Sequence, residues 1–237
     1  MRLDKLLANM GYGSRKEMKK LLRSGAVTVN GSTVKDGKTQ VVPENEDVFV
    51  LGEKVEYRDF IYLLMNKPQG IISATEDRLL ETVIDLLAPD YQVFKPFPVG
   101  RLDKDTEGLL VLTNDGQLAH ELLSPKKHVP KTYFARISGV VTDEDRAAFK
   151  KGVTLDDGYE TKPGELVILS SDEISEIELT ITEGKFHQVK RMFEAVGKEV
   201  TYLKRISMGS LLLDPALSLG EYRELTEEEL AALTKAQ

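Results

Sequence analysis

The densest set of reactive residue types lies in the segment 98–116. Between Gly100 and Gly108 stand three acids, Asp103, Asp105 and Glu107, and two bases, Arg101 and Lys104. A carboxylate held beside a cation stays ionised and aimed, as acid–base work requires. The same composition also suits a solvated polar loop, and spacing alone does not choose among the three acids. Further on, Tyr133 sits partway along Lys131–Ile137, a stretch of strand composition. A strand tyrosine is usually core packing. Residues 183–197 read as a turn into a helix closed by Gly197, with Val189, Met192, Phe193 and Val196 as its apolar stripe. His187, Lys190, Arg191 and Glu194 are its polar remainder, which an ordinary surface helix would also show.

The elements that must position these groups are partly legible. Phe60–Met65 is a dense apolar run that suits a buried strand, and it ends at Asn66-Lys67-Pro68-Gln69-Gly70, a turn by composition. Leu109–Thr113 is strand-like and runs into the turn Asn114-Asp115-Gly116. Glu176–Thr182 alternates as a half-buried strand does. The tail from Leu225 to Leu230 has the form of a capped helix start.

The first sixty residues have a different character. The chain carries a net charge of −7, yet residues 1–42 hold nine Lys/Arg and three acids, a sum of +6, which leaves −13 for the rest. Phosphate affinity follows local positive charge rather than the total. Leu3, Leu6, Leu7 and Met10 recur at helical spacing, and Gly11 and Gly13 end that helix. Ser14 and Glu17 then have capping-box spacing for a second helix running to Arg23. On a wheel with Arg15 at zero, Lys16, Lys19, Lys20 and Arg23 fall between about 40° and 140°. Met18, Leu21 and Leu22 fall between about 240° and 340°. One face is therefore apolar and another basic. Ala26–Val29 reads as a strand, and Asn30-Gly31 is a hairpin signal. Residues 56–59 read as a linker.

The chain has no cysteine, which excludes disulfides and thiolate metal sites. His120, His128 and His187 show no metal-ligand spacing. The N-terminus lacks an apolar core of signal-peptide length, and no apolar run approaches a membrane span. A soluble cytoplasmic protein is the expectation.

Taken in order, these segments resemble a known family. Leu3-Asp4-Lys5-Leu6-Leu7, Ser14-Arg15 and Gly25–Gly31 resemble the RNA-binding domain first described in ribosomal protein S-four. Asn66-Lys67-Pro68-x-Gly70, the block from Gly100 through Asp103 and Thr106 to Leu110, Lys131-Thr132-Tyr133 and the helix containing Lys190 occur in the order found in RsuA-type pseudouridine synthases. The resemblance spans essentially the whole chain. It implies an S-four-type domain over 1–58 and a catalytic domain over 60–237. The implied fold is α+β, with a large mixed, mostly antiparallel sheet and a central cleft.

It also implies roles. Asp103 matches the essential aspartate, Tyr133 the tyrosine placed against the target base, and Lys190 the cation paired with the aspartate, with the adjacent Arg191 as the alternative partner. Lys67, Arg101 and Arg191 are the expected substrate contacts. Arg15, Lys16, Lys19, Lys20 and Arg23 are the expected RNA contacts of the basic helix. The implied reaction breaks the N1–C1′ bond of a uridine, turns the uracil and joins C5 to C1′. It needs an ionised carboxylate, exclusion of water and a flipped-out nucleotide. It needs no cofactor or metal. The segment Gly184–Arg191 looks like that of the small-subunit enzymes, which implies a uridine of 16S ribosomal RNA (uridine 516 in the usual numbering), with ribosomal RNA or an assembly intermediate as partner and a monomer as the acting form. A large-subunit RNA target, a non-catalytic RNA-binding assembly factor and a glycosidase are the rival readings.

Overall fold

A computed structural model describes residues 1–235, with the side chains of Arg15 and Lys235 outside the description. The chain divides into two compact units. The first comprises Met1–Ile61 with Leu87–Lys95, and the second comprises Tyr62–Leu86 with the chain from Pro96 onward.

In the first unit, α1 (Leu3–Asn9) and α2 (Arg15–Arg23) precede a small antiparallel sheet of β1 (Val27–Val29), β2 (Ser32–Thr33), β3 (Val48–Val50) and β4 (Glu53–Lys54), in the order β2-β1-β3-β4. The expected capping box starts α2. The Ser14 amide donates to Glu17 Oε2 at 2.7 Å, and the Glu17 amide donates to Ser14 Oγ at 3.4 Å. Asn30 (φ 50°) and Gly31 (φ 79°) are both left-handed, the geometry of the tight hairpin turn that joins β1 to β2. Leu3, Leu6 and Leu7 of α1, Met18 and Leu22 of α2, and the strand valines Val27, Val29, Val48 and Val50 form one core. Packing of the α2 apolar stripe onto that core leaves Lys16, Lys19, Lys20 and Arg23 exposed, as the wheel requires. The short helix α3 (Pro89–Gln92) belongs to the separate segment of this unit.

The second unit is built on a nine-stranded sheet. Its strands are β5 (Tyr62–Lys67), β6 (Phe97–Pro98), β7 (Glu107–Thr113), β8 (Lys131–Ser138), β9 (Glu165–Ser170), β10 (Ile174–Ile181), β11 (Glu199–Met208), β12 (Leu211–Leu212) and β13 (Tyr222–Glu224). The main path runs β13-β5-β7-β11-β8-β10-β9, with β6 on β7 and β12 on β11. Every pairing among these strands is antiparallel except β7 with β11 at the centre. Helix α4 (Gly116–Leu123) follows β7, α5 (Asp143–Lys151) follows β8, α6 (Gln188–Ala195) precedes β11, and α7 (Glu227–Lys235) ends the described chain.

β7 is buried along its whole length, so a continuous apolar run suits it better than alternation. β8 and β10 alternate, and each buries one face. The strand expected at Phe60–Met65 is observed two residues later. Phe60 is half exposed, whereas Asn66 and Lys67 are buried and continue the pairing to Leu109 and Gly108. The turn Asn114–Gly116 doubles as a helix start, because Asp115 caps α4 by accepting from the amides of Gln117 and Leu118.

Candidate active site

The loop between β6 and β7 carries Asp103, and its shape is imposed from β5 and the segment after it. The Ser73 hydroxyl donates to the Leu102 carbonyl at 2.9 Å and accepts from the Leu102 amide at 3.0 Å. The Gly70 amide donates to the Lys104 carbonyl at 2.8 Å. Lys67 Nζ donates to the carbonyls of Pro68, Asp103 and Thr106 at 3.0, 3.1 and 2.9 Å. These bonds tie the Asn66–Gly70 turn to the acidic loop and place Asp103 at the edge of a cleft.

Lys67 therefore differs from expectation. It is wholly buried and its ammonium is spent on main-chain oxygens, so it is an internal clamp rather than an RNA contact. Burial pushes its pKa down to about 8, against the pull of Asp103, Asp105 and Glu107.

The three acids of the loop, equivalent by spacing, separate in space. Glu107 pairs in register with Lys204 of β11 and accepts from the Tyr202 hydroxyl at 2.6 Å. Gly108, next along β7, pairs with Arg205, whose neighbour across β8 is Tyr133. Because side chains alternate along a strand, Glu107 points to the face opposite Tyr133. Asp105 is exposed and binds Lys190 Nζ at 2.7 and 2.8 Å. This ion pair holds the Asp105 carboxyl below the usual range. Asp103 is one-third exposed, and its carboxylate lies 3.6 Å from Lys190 Nζ and 3.6 Å from His187 Nε2.

Asp103 lines a cleft of about 660 Å³ together with Arg101, Tyr133, Ile181, His187 and Leu203. Tyr133 is buried, with a small part of its surface left exposed. Ile181 on β10 and Leu203 on β11 belong to the same sheet face as Tyr133, in register with Lys131 and Ala135 of β8. Helix α6 rests above them on Val189, Met192 and Phe193, all buried. Its start at His187 is left-handed (φ 49°), an uncommon state for histidine, and the imidazole stacks on the exposed ring of Phe186 at 3.7 Å.

Arg191 is not a second partner of Asp103. Its guanidinium binds Asp156 and Asp157, the latter at 2.7 Å, and Nη1 donates to the Phe186 carbonyl at 3.3 Å. One residue along a helix is a turn of about 100°, so Lys190 and Arg191 reach different acids. Arg191 braces α6 to the loop holding Asp156, and that anchorage replaces the RNA contact expected of it. Arg101 is exposed at the cleft. Lys16, Lys19, Lys20 and Arg23 lie on the first unit, while the Arg15 side chain lies outside the description.

Sequence pattern does not single out Ser73, Lys131 or Arg205. Ser73 carries no motif. Lys131 stands out only as the residue before Thr132-Tyr133. Arg205 follows Lys204 in a strand, and only period-two alternation with buried Leu203 hints that it points inward.

Residues 61–195 match the RNA pseudouridylate synthase family, and residues 1–47 match the S4 domain. The chain belongs to the RNA pseudouridylate synthase family, and its fold joins that catalytic body to an S4 RNA-binding domain. It is 60% identical over its full length to the uncharacterized RNA pseudouridine synthase YtzG of Bacillus subtilis (strain 168), with all of that protein covered. It is 38% identical to ribosomal small subunit pseudouridine synthase A of Escherichia coli (strain K12), over 98% of this chain and 100% of that one. A crystal structure of a pseudouridylate synthase superposes with a TM-score of 0.69 at 37% identity, covering 98% of this chain and 99% of that one. The chain is thus a pseudouridine synthase, and RNA is its partner. Among the described residues no helix is long and apolar enough to cross a membrane.

Proposed function

We propose that the protein isomerises a uridine of 16S ribosomal RNA, uridine 516 in the usual numbering, acting as a monomer in the cytoplasm. The observation that carries this reading is the Asp103 carboxylate beside Lys190 and His187, in a cleft that also holds the face-bearing ring of Tyr133. The small-subunit target draws its support from relatives such as the Escherichia coli enzyme, whose name specifies that substrate, and from the Gly184–Arg191 segment.

In this reading residues 1–58 hold structured RNA through the basic face of α2, and residues 60–237 do the chemistry. The target uridine leaves its stack and enters the cleft, since its C1′ is unreachable within a helix. Asp103 acts on the ribose. Attack at C1′ and removal of a ribose proton both require the same ionised carboxylate, and Lys190 stabilises it. Tyr133 offers an apolar ring to the uracil once N1–C1′ is broken, so that the base turns without leaving. Ile181 and Leu203 keep that surface dry, which favours rejoining through C5 over hydrolysis.

Tritium release from small-subunit RNA labelled at uridine C5 tests the reading. The wild type releases tritium, and Asp103→Asn abolishes release while RNA binding persists. Release only from large-subunit RNA would move the target. Binding without release from any ribosomal RNA would leave an assembly factor, and free uracil with abasic sites would mark a glycosidase.

A further inference from the structure

A second cavity, of about 270 Å³, adjoins the cleft and shares Arg101, Tyr133 and Lys185 with it. Its walls carry five cations, Arg101, Lys131, Lys162, Lys185 and Arg205, against the single carboxylate of Glu183. Glu183 is already engaged. It accepts from the Tyr159 hydroxyl at 2.7 Å, the Lys162 amide at 2.9 Å and Gln188 Nε2 at 2.6 Å. None of these donors is the side chain of a cation in the wall.

Arg205 is the unusual member. Only 2% of it is exposed, and among its side-chain nitrogens Nε donates to the Leu109 carbonyl at 2.8 Å. Nη2 is buried with no hydrogen-bond partner. A buried guanidinium with an idle donor and no carboxylate is costly. Lys131 is close enough to feel the charge of Arg205, and its ammonium donates only to the Val129 carbonyl, at 3.1 Å. Two neighbouring cations thus face one cavity, and among the described residues no anion lies between them. Burial and this repulsion push the Lys131 pKa down to about 8. An anion in the cavity would lie against the Arg205 guanidinium, offset the repulsion and restore the ammonium.

The register explains how the pair is built. Arg205 lies opposite Tyr133, and Lys131 lies two residues before Tyr133 on the same face of β8. The irregularity between Arg205 and Ser207 in β11 adds a residue there and re-aims the strand beside the cavity. Lys162 and Lys185 stand at the wall, Lys162 on His128 Nδ1 at 2.9 Å and Lys185 over the Tyr159 ring at 4.5 Å.

We propose that this cavity is an anion site for a phosphodiester group of the RNA strand flanking the flipped uridine, with Arg205 and Lys131 as its donors. The proposal rests on the catalytic reading for the position of the uridine, on the far side of Tyr133. A phosphate held here fixes the strand beside the nucleotide, so the backbone supplies the leverage that keeps the base out of its stack.

The test uses the full chain and two probes, inorganic phosphate by calorimetry and small-subunit RNA by filter binding. Lys131→Gln is the principal variant because Lys131 is only half buried. Arg205→Gln is the second, accepted only if its melting curve stays cooperative, and Lys150→Gln, at an exposed position of α5, is the control. The expected result is phosphate binding by the wild type, at least about tenfold weaker in Lys131→Gln and unchanged in Lys150→Gln, with RNA affinity falling alongside. No phosphate binding by the wild type, or binding indifferent to Lys131→Gln, would overturn the site. Phosphate binding that weakens while RNA affinity holds would overturn the assignment to RNA and leave a free-anion site. Should the wild type release no tritium while both affinities depend on Lys131, the catalytic reading fails and the anion site stands.

Discussion

Lys67 on β5 holds Asp103 through its main chain, not its carboxylate: the ammonium donates to the Asp103 carbonyl at 3.1 Å. The reactive side chain is left free while its backbone is fixed. Replacing Lys67 with Met removes the donor to three carbonyls; that of Asp103 keeps the Thr106 amide at 3.0 Å, whereas that of Thr106 loses this partner in a buried setting. Lys67→Met should cost about 3 kcal/mol of stability. A loop displacement of about 1 Å at Asp103 should lower turnover roughly 100-fold. Urea unfolding and single-turnover tritium release read the two effects. Full turnover in a destabilised variant would show that the clamp serves folding alone.

Asp105 and Asp103 share one cation. Lys190 is 2.7 Å from Asp105 Oδ1 and 3.6 Å from Asp103 Oδ2. Asp105 is two-thirds exposed, so its pair is screened and contributes little to stability. Asp105→Asn frees Lys190 for Asp103. Turnover in Asp105→Asn should change by less than about tenfold, a loss of under 1.4 kcal/mol. Rapid-quench single turnovers measure it. A loss as complete as that of Asp103→Asn would mean that Asp105 takes part in the chemistry.

The basic face of α2 invites a simple measurement. Lys19, Lys20 and Arg23 are exposed, and the helix is anchored by Met18 and Leu22 on its other side. Changing all three to Gln should leave melting unchanged and weaken RNA binding. The slope of log affinity against log salt should shrink by about one for each cation that meets a phosphate. An unaltered slope would place the RNA anchor elsewhere.

Much of this architecture was readable beforehand where local chemistry sets the structure. The Ser14–Glu17 capping box, the Asn30-Gly31 turn and the α6 stripe are local, and each is found where the pattern put it. The site was readable only through resemblance, because the three acids of one loop look alike along the chain. Pairing of β7 with β11 across nearly a hundred residues sends Glu107 to the other face, and no local pattern encodes that. Lys67 and Arg205 were misread or missed for one reason. A cation in a turn, as Lys67 reads, or in a strand, as Arg205 reads, ordinarily faces water, and here carbonyls of a neighbouring loop or strand take its place.

Gly108 lies on β7 directly against Arg205 of β11. Its φ is +104°, and a Cβ there would fall 2.2 Å from the Arg205 carbonyl oxygen. That oxygen is backbone within the sheet and cannot swing aside. Gly108→Ala should therefore separate β7 from β11, at a cost above about 3 kcal/mol, and yield a poorly folded second unit. Circular dichroism melting checks this. A variant that melts like the wild type would mean that the sheet absorbs the clash.

Buried Lys67 and half-buried Lys131 make stability depend on pH in a way that can be signed. Lys67 and Lys131 titrate near pH 8 in the folded protein, from an ordinary value of 10.5. Between those values the unfolded chain carries protons that the folded chain has released. Stability contributed by these groups therefore rises from pH 8 to pH 10.5. Tyr57 and Tyr62 work oppositely. Burial pushes each up to about 12 from 10.0, so their contribution is full below pH 10 and is lost as pH climbs toward 12. Removing Lys131 isolates its part. The stability difference between wild type and Lys131→Gln, from urea unfolding at matched ionic strength, should move in favour of the wild type as pH rises from 8 to 10.5. A difference that stays flat would mean that Lys131 keeps an ordinary pKa, and that Arg205 does not repel it. Saturating phosphate should flatten it too, because an anion between the two cations returns the ammonium toward 10.5.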